Sequence, residues 1–130
     1  MPEARWSAAA LVLVPMLLAA TTPNLVGRFS GTYLFDGTMT AQSMQIEVEK
    51  QHHRRFKVSV FAMNEPEFQG HGRVSKDGAS FTASTKATGR HAPHLLLSGT
   101  ISAGGTALDG SFTSHRAHHP DTTGTFTVAQ

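Results

Sequence analysis

Beyond residue 25 the chain alternates. In "SMQIEVEK", residues 43–50, Met44, Ile46 and Val48 fall on one side and Gln45, Glu47 and Glu49 on the other. In "RFKVSVFA", residues 55–62, Phe56, Val58 and Val60 share a side in the same way. A period of two is what a strand with one buried face requires, and no stretch after the first twenty residues keeps a helical period. Eight segments read as strands: 26–35, 43–50, 55–62, 67–75, 79–86, 94–101, 106–114 and 122–129. Their regular spacing, with turn residues between them, predicts an all-β domain, either a barrel or a β-sandwich.

The glycines favour the barrel. Gly31, Gly70, Gly72, Gly99, Gly110 and Gly124 fall on the predicted inward side, beside Phe29, Phe68, Leu97, Phe112 and Phe126. Glycine weakens a strand unless the backbone must bend sharply or approach another backbone closely. A sheet closing on itself needs such bends, and closure removes the exposed edges on which other chains could add. The expectation is an eight-stranded antiparallel up-and-down meander closed into a small barrel.

The first twenty residues differ from the rest. Arg5 supplies a positive charge, "AAALVLVPMLLAA" at 8–20 carries none, and small residues close the run. That is the pattern of a secretory signal peptide, and the run is short for a membrane span of about 20 residues. An uncleaved N-terminal anchor is the alternative. The expected organisation is a signal at 1–20, a short linker at 21–25 and one domain at 26–130, secreted or periplasmic, with no stable membrane span after cleavage. The chain has no cysteine, so neither a lipoprotein anchor nor disulfides can hold it. A packed core or a bound ligand must do so.

With the barrel pattern in hand, "VGRFSGTY" at 26–33, "SGT" at 98–100, "DGSF" at 109–112 and "TGTF" at 123–126 resemble the avidin and lipocalin type of secreted barrel, the calycins. The resemblance spans most of the chain after the signal and is one of pattern. It implies the fold and an open mouth. Gly27-Arg28-Phe29 stands where lipocalins carry Gly-x-Trp, and the single tryptophan, Trp6, falls in the signal segment, so biotin binding is not implied.

In a meander the connections alternate between the two ends. Connections 36–42, 63–66, 87–93 and 115–121 gather at one end and are mostly long; 51–54, 76–78 and 102–105 gather at the other and are mostly tight. The long-loop end is the expected working end. It should bring together His91, His94, His115, His118, His119 and Asp121, a candidate set for a transition metal such as zinc or copper, for which neutral imidazoles supply nitrogen donors. The plainer reading of "SHRAHHPD", 114–121, is a solvated loop. His52 and His53 should go to the opposite end, and His71 should point outward. The eight histidines make the charge, formally +2 with histidine neutral, sensitive to mildly acidic pH.

A second candidate is a cup for a small apolar ligand lined by Phe29, Tyr33, Phe68, Leu97, Phe112 and Phe126, with Tyr33 as the orienting hydrogen-bond donor. The same residues would equally make a solid core. A third is contact with another protein of the cell envelope. The residues point away from catalysis: there is no cysteine, no Gly-x-Ser-x-Gly elbow and no acidic pair in an evident cleft. Ser114, His115 and Asp121 are a local trio without evident triad geometry. "HHRR" at 52–55 is basic but short, and the export signal argues against a nucleic-acid partner. The expectation is therefore a non-enzymatic exported binding domain without a required cofactor.

Overall fold

The alternating segments become strands that pair on both sides. In the computed structural model, which describes residues 21–130, the strands are β1 (Gly27–Phe35), β2 (Gln42–His52), β3 (Arg55–Phe61), β4 (Phe68–Val74), β5 (Ser80–Ala87), β6 (His94–Ile101), β7 (Ala107–His115) and β8 (Thr122–Ala129). The expected signal, 1–20, lies outside the described residues. Each strand pairs antiparallel with the next, and β8 pairs with β1, closing the barrel. One continuous closed sheet leaves no room for the sandwich alternative. At the closing seam the Thr123 hydroxyl donates to the Asp36 carboxylate, and the Asp36 N–H donates to the Thr123 carbonyl at 2.9 Å.

One expected strand is longer in the structure and another is shifted by one residue. β2 runs on to His52 because a bulge between Val48 and Lys50 resets its register, which strict alternation does not anticipate. β7 includes His115, placed in a loop by the sequence reading. His71 is exposed, as expected.

Inward side chains pack into one apolar cluster running from Leu25 through Phe29, Val58 and Leu97 to Phe112 and Phe68. Most outward positions are polar, the reverse of strands that face lipid; Leu96, 46% exposed, is an exception. Among the described residues no helix is long and apolar enough to cross a membrane. The inward glycines mark close backbone approach. Gly99 and Gly110 lie directly opposite each other, and a Cβ on Gly110 would sit 2.1 Å from the Ser98 carbonyl oxygen. Such contacts let the sheet coil tightly.

The tight-turn end is capped by the segment read as a linker. Leu25 has no exposed surface. The Gln51 side chain holds it there, accepting from the Leu25 N–H at 2.7 Å and donating to the Pro23 carbonyl at 2.8 Å.

Candidate binding site at the long-loop end

Four connections meet at the other end: 36–41, 62–67, 88–93 and 116–121. The second is shaped by a tight turn in which the Glu65 N–H donates to the Ala62 carbonyl at 3.2 Å. Met63 and Asn64 at its apex both take left-handed backbone, φ 61°. The Tyr33 hydroxyl holds this turn down: it accepts from the Met63 N–H at 3.1 Å and donates to Gln42 Oε1 at 3.1 Å. Tyr33 is therefore engaged by the fold. In the last connection the His119 N–H donates to the Arg116 carbonyl at 3.1 Å, and His118 is left-handed at φ 66°. His91 and His53 are left-handed as well, at φ 58° and 56°. Histidine is among the few non-glycine residues enriched in this conformation, so part of the histidine content serves turns.

Below these loops Tyr33, Phe35 and Phe112 pack edge to face, with ring centroids 5.4 to 5.8 Å apart. This layer closes the top of the core. All six residues proposed to line a cup are buried: Phe29, Tyr33, Phe68, Leu97, Phe112 and Phe126 are 0–3% exposed. Phe29, Leu97 and Phe126 lie deep in the core. Tyr33 and Phe112 belong to the closing layer. Phe68 reaches the floor of a cleft above it.

That cleft has a volume of about 220 Å³, with Phe35, Met63, Phe68 and Pro93 below and Glu65, Ser114, Arg116, His119 and Pro120 around it. A shallower depression of about 430 Å³ adjoins it, sharing Glu65, Arg116 and His119 and adding Arg90, His91 and His118. The rim is basic. Its carboxylate, Glu65, lies 3.8 Å from the Arg116 guanidinium. Both groups keep contact with water, so the pair is weak and open to exchange for another anion.

The predicted metal ligands separate into two groups. His91, His118 and His119 border the shallow depression. His94, His115 and Asp121 lie on the outer side: His94 faces His115 across β6 and β7 with ring centroids 6.5 Å apart, and His115 Nδ1 is 2.5 Å from Asp121 Oδ1. The two histidine stretches are thus neighbours in space, yet among the described residues no three His, Asp or Glu side chains converge as a metal would require. Ser114 and His115 are consecutive in β7 and so point to opposite faces, Ser114 into the cleft and His115 toward Asp121. The sequence reading did not name Phe35, Met63, Glu65, Pro93, Arg116 or Pro120 as site residues. Sorting loops by end carried the signal for Met63, Glu65, Pro93, Arg116 and Pro120; what was missing was the layer that moves the site above the core.

Searches of protein-family models, curated proteins and solved structures find no match to this chain.

Proposed function

We propose that the protein is an exported binding domain that takes a small amphipathic ligand, an apolar body with an acidic group, at the long-loop end in the manner of a lipocalin-type barrel. The observation that carries this reading is the cleft itself: an apolar floor of Phe35, Met63 and Phe68 under a rim with Arg116 and His119. Small-ligand sites join apolar lining to a few placed polar groups, and usually exceed about 300 Å³. The deep cleft alone suits a short chain or a single ring; with the adjoining depression a larger ligand fits. The apolar part would lie on Met63 and Phe68, and the acid would take Glu65's place at Arg116.

Calorimetric titration with octanoate and with octanol tests this. Octanoate is expected to bind and octanol to bind more weakly. Arg116→Gln should weaken octanoate about tenfold, the loss of one charge-assisted contact. Glu65→Gln should strengthen it by freeing Arg116. Octanoate affinity indifferent to both substitutions sinks the reading.

A second reading is loose zinc or copper binding through one or two imidazoles of His91, His118 and His119, which border one depression without converging as a full ligand set. Its test is zinc titration of the protein and of the variant carrying His118→Ala and His119→Ala; unchanged affinity in the variant removes it.

A further inference from the structure

On the outer wall of β2, β3 and β4, the register assembles a feature that "HHRR" only hints at. Lys50 faces Lys57, which faces His71, across β2, β3 and β4. One step toward the tight-turn end, His52 faces Arg55, which faces Arg73. All six are exposed. They form a two-by-three grid with neighbours about 5 Å apart across strands and about 7 Å apart along them. Like charges directly opposite each other in a sheet are destabilising. Two carboxylates border the grid at Lys57: Glu49 pairs with it at 3.4 Å, and Glu67 lies within its electrostatic reach; Glu47 lies one step toward the mouth and pairs with Arg28 at 3.3 Å. Lys50 against Lys57 and Arg55 against Arg73 are like-charged pairs, and an anion would relieve their repulsion.

The same two rows continue across β5 and β6 with different chemistry. His71 faces Ser84, which faces Leu96; Arg73 faces Thr82, which faces Ser98. An open groove of about 800 Å³ joins the halves, with Arg55, His71 and Arg73 on one side and Thr82, Ser84 and Ser98 on the other. Leu96, 46% exposed, lies in it. A second trough of about 510 Å³ extends the basic half past Lys50, His52 and Lys57, sharing Arg55 and His71.

We propose that this wall binds an acidic polysaccharide, its charged substituents on the β2–β4 grid and its sugar hydroxyls along Thr82, Ser84 and Ser98. A groove with one basic and one hydroxyl-lined half matches a polymer bearing both kinds of group. A flat bilayer surface does not enter a groove. Single-stranded nucleic acid relies on exposed rings for stacking, and Phe56, the phenyl ring bordering the trough, is buried.

The test is binding of the purified protein to heparin, with polyphosphate, single-stranded DNA and phosphatidylglycerol vesicles as competing probes. Heparin should bind at about 50 mM salt and weaken steeply as salt rises, because neutralising a polyanion releases its counterions. Arg55→Gln with Arg73→Gln should weaken heparin about tenfold, and Lys50→Gln less, while Arg28→Gln on the neighbouring wall changes it less than about twofold. Both grid variants should melt at or above the temperature of the parent protein, since each removes repulsion. Thr82→Val with Ser98→Ala should weaken heparin and leave polyphosphate unchanged. The proposal is overturned by no heparin binding, by grid variants that bind as the parent does, by equal loss of polyphosphate in the hydroxyl variant, or by tighter binding of the DNA or the vesicles.

Discussion

Tyr33 shows how one residue divides between fold and site. The sequence offers it as the inward group able to orient a ligand. Its hydroxyl instead fixes the turn that carries Met63 into the lining of the cleft. A left-handed non-glycine residue costs of order 1 kcal/mol, so Met63 and Asn64 need such support. Tyr33→Phe removes the hydroxyl while keeping the ring against Phe35 and Phe112. The expected cost is about 1–2 kcal/mol in urea unfolding, with faster amide exchange at Met63 to Glu65 and weaker octanoate binding. Asn64→Gly should act in the opposite sense, raising stability by up to about 1 kcal/mol, because glycine adopts this backbone without penalty. A lower midpoint for Asn64→Gly contradicts the assignment of strain to the turn. Neither the left-handed turn nor the hydroxyl's partners could be read from the sequence. Both depend on which side chain stands over which loop.

At the scale of strands, more was legible. Alternation places Met44, Ile46 and Val48 inward, and all three are buried. The inward glycines pointed to a closed barrel for the right physical reason. Opposite Gly99, Gly110 leaves no space for a methyl group: its Cβ would meet the Ser98 carbonyl oxygen at 2.1 Å and Gly99 Cα at 2.4 Å. Gly110→Ala should therefore cost about 3 kcal/mol, the upper range for overpacking, because backbone cannot move aside as a side chain does. Ser111→Ala, the next residue in β7 and exposed, should stay within about 0.5 kcal/mol. Chemical denaturation of the pair checks this; equal effects would mean that the strands separate easily there. Strand ends were less legible, since the bulge after Val48 carries β2 to His52. That extension places His52 opposite Arg55 and so completes the basic grid. The six grid residues are spread over 24 positions of sequence and unite only through register, which is why the sequence shows little more than "HHRR".

For the whole molecule, acid stability offers a reading of how the outer wall is held. Glu67, in the connection leading into β4, accepts from the Ser59 hydroxyl at 2.7 Å and from Gln69 Nε2 at 2.8 Å. These hydrogen bonds, Ser59's first, with a smaller contribution from Lys57, lower its pKa below the ordinary carboxylate value of 4.5. Asp77, in the turn between β4 and β5, is lowered as well, by the Ser75 hydroxyl first and then by the Ala79 N–H. A carboxylate whose folded pKa is depressed binds protons more readily when the chain is unfolded. Its contribution is complete above the unfolded value and is lost as pH falls through the folded one. Stability should thus be level from neutral pH to about 5 as far as these two groups govern it, then fall below about 4.5. Glu67→Gln should lower stability at neutral pH by about 0.5 kcal/mol, small because the group meets solvent, and its difference from the parent should shrink as the pH falls below about 4.5. Urea unfolding of both proteins from pH 3 to 7 measures that convergence. If the curves instead stay parallel down to pH 3, the Ser59–Glu67 contact acts through packing and its charge contributes nothing. Such a result would mean that Glu67 does not offset Lys57, so that Glu49, 3.4 Å from Lys57, would be left as the carboxylate of the chain that balances the grid.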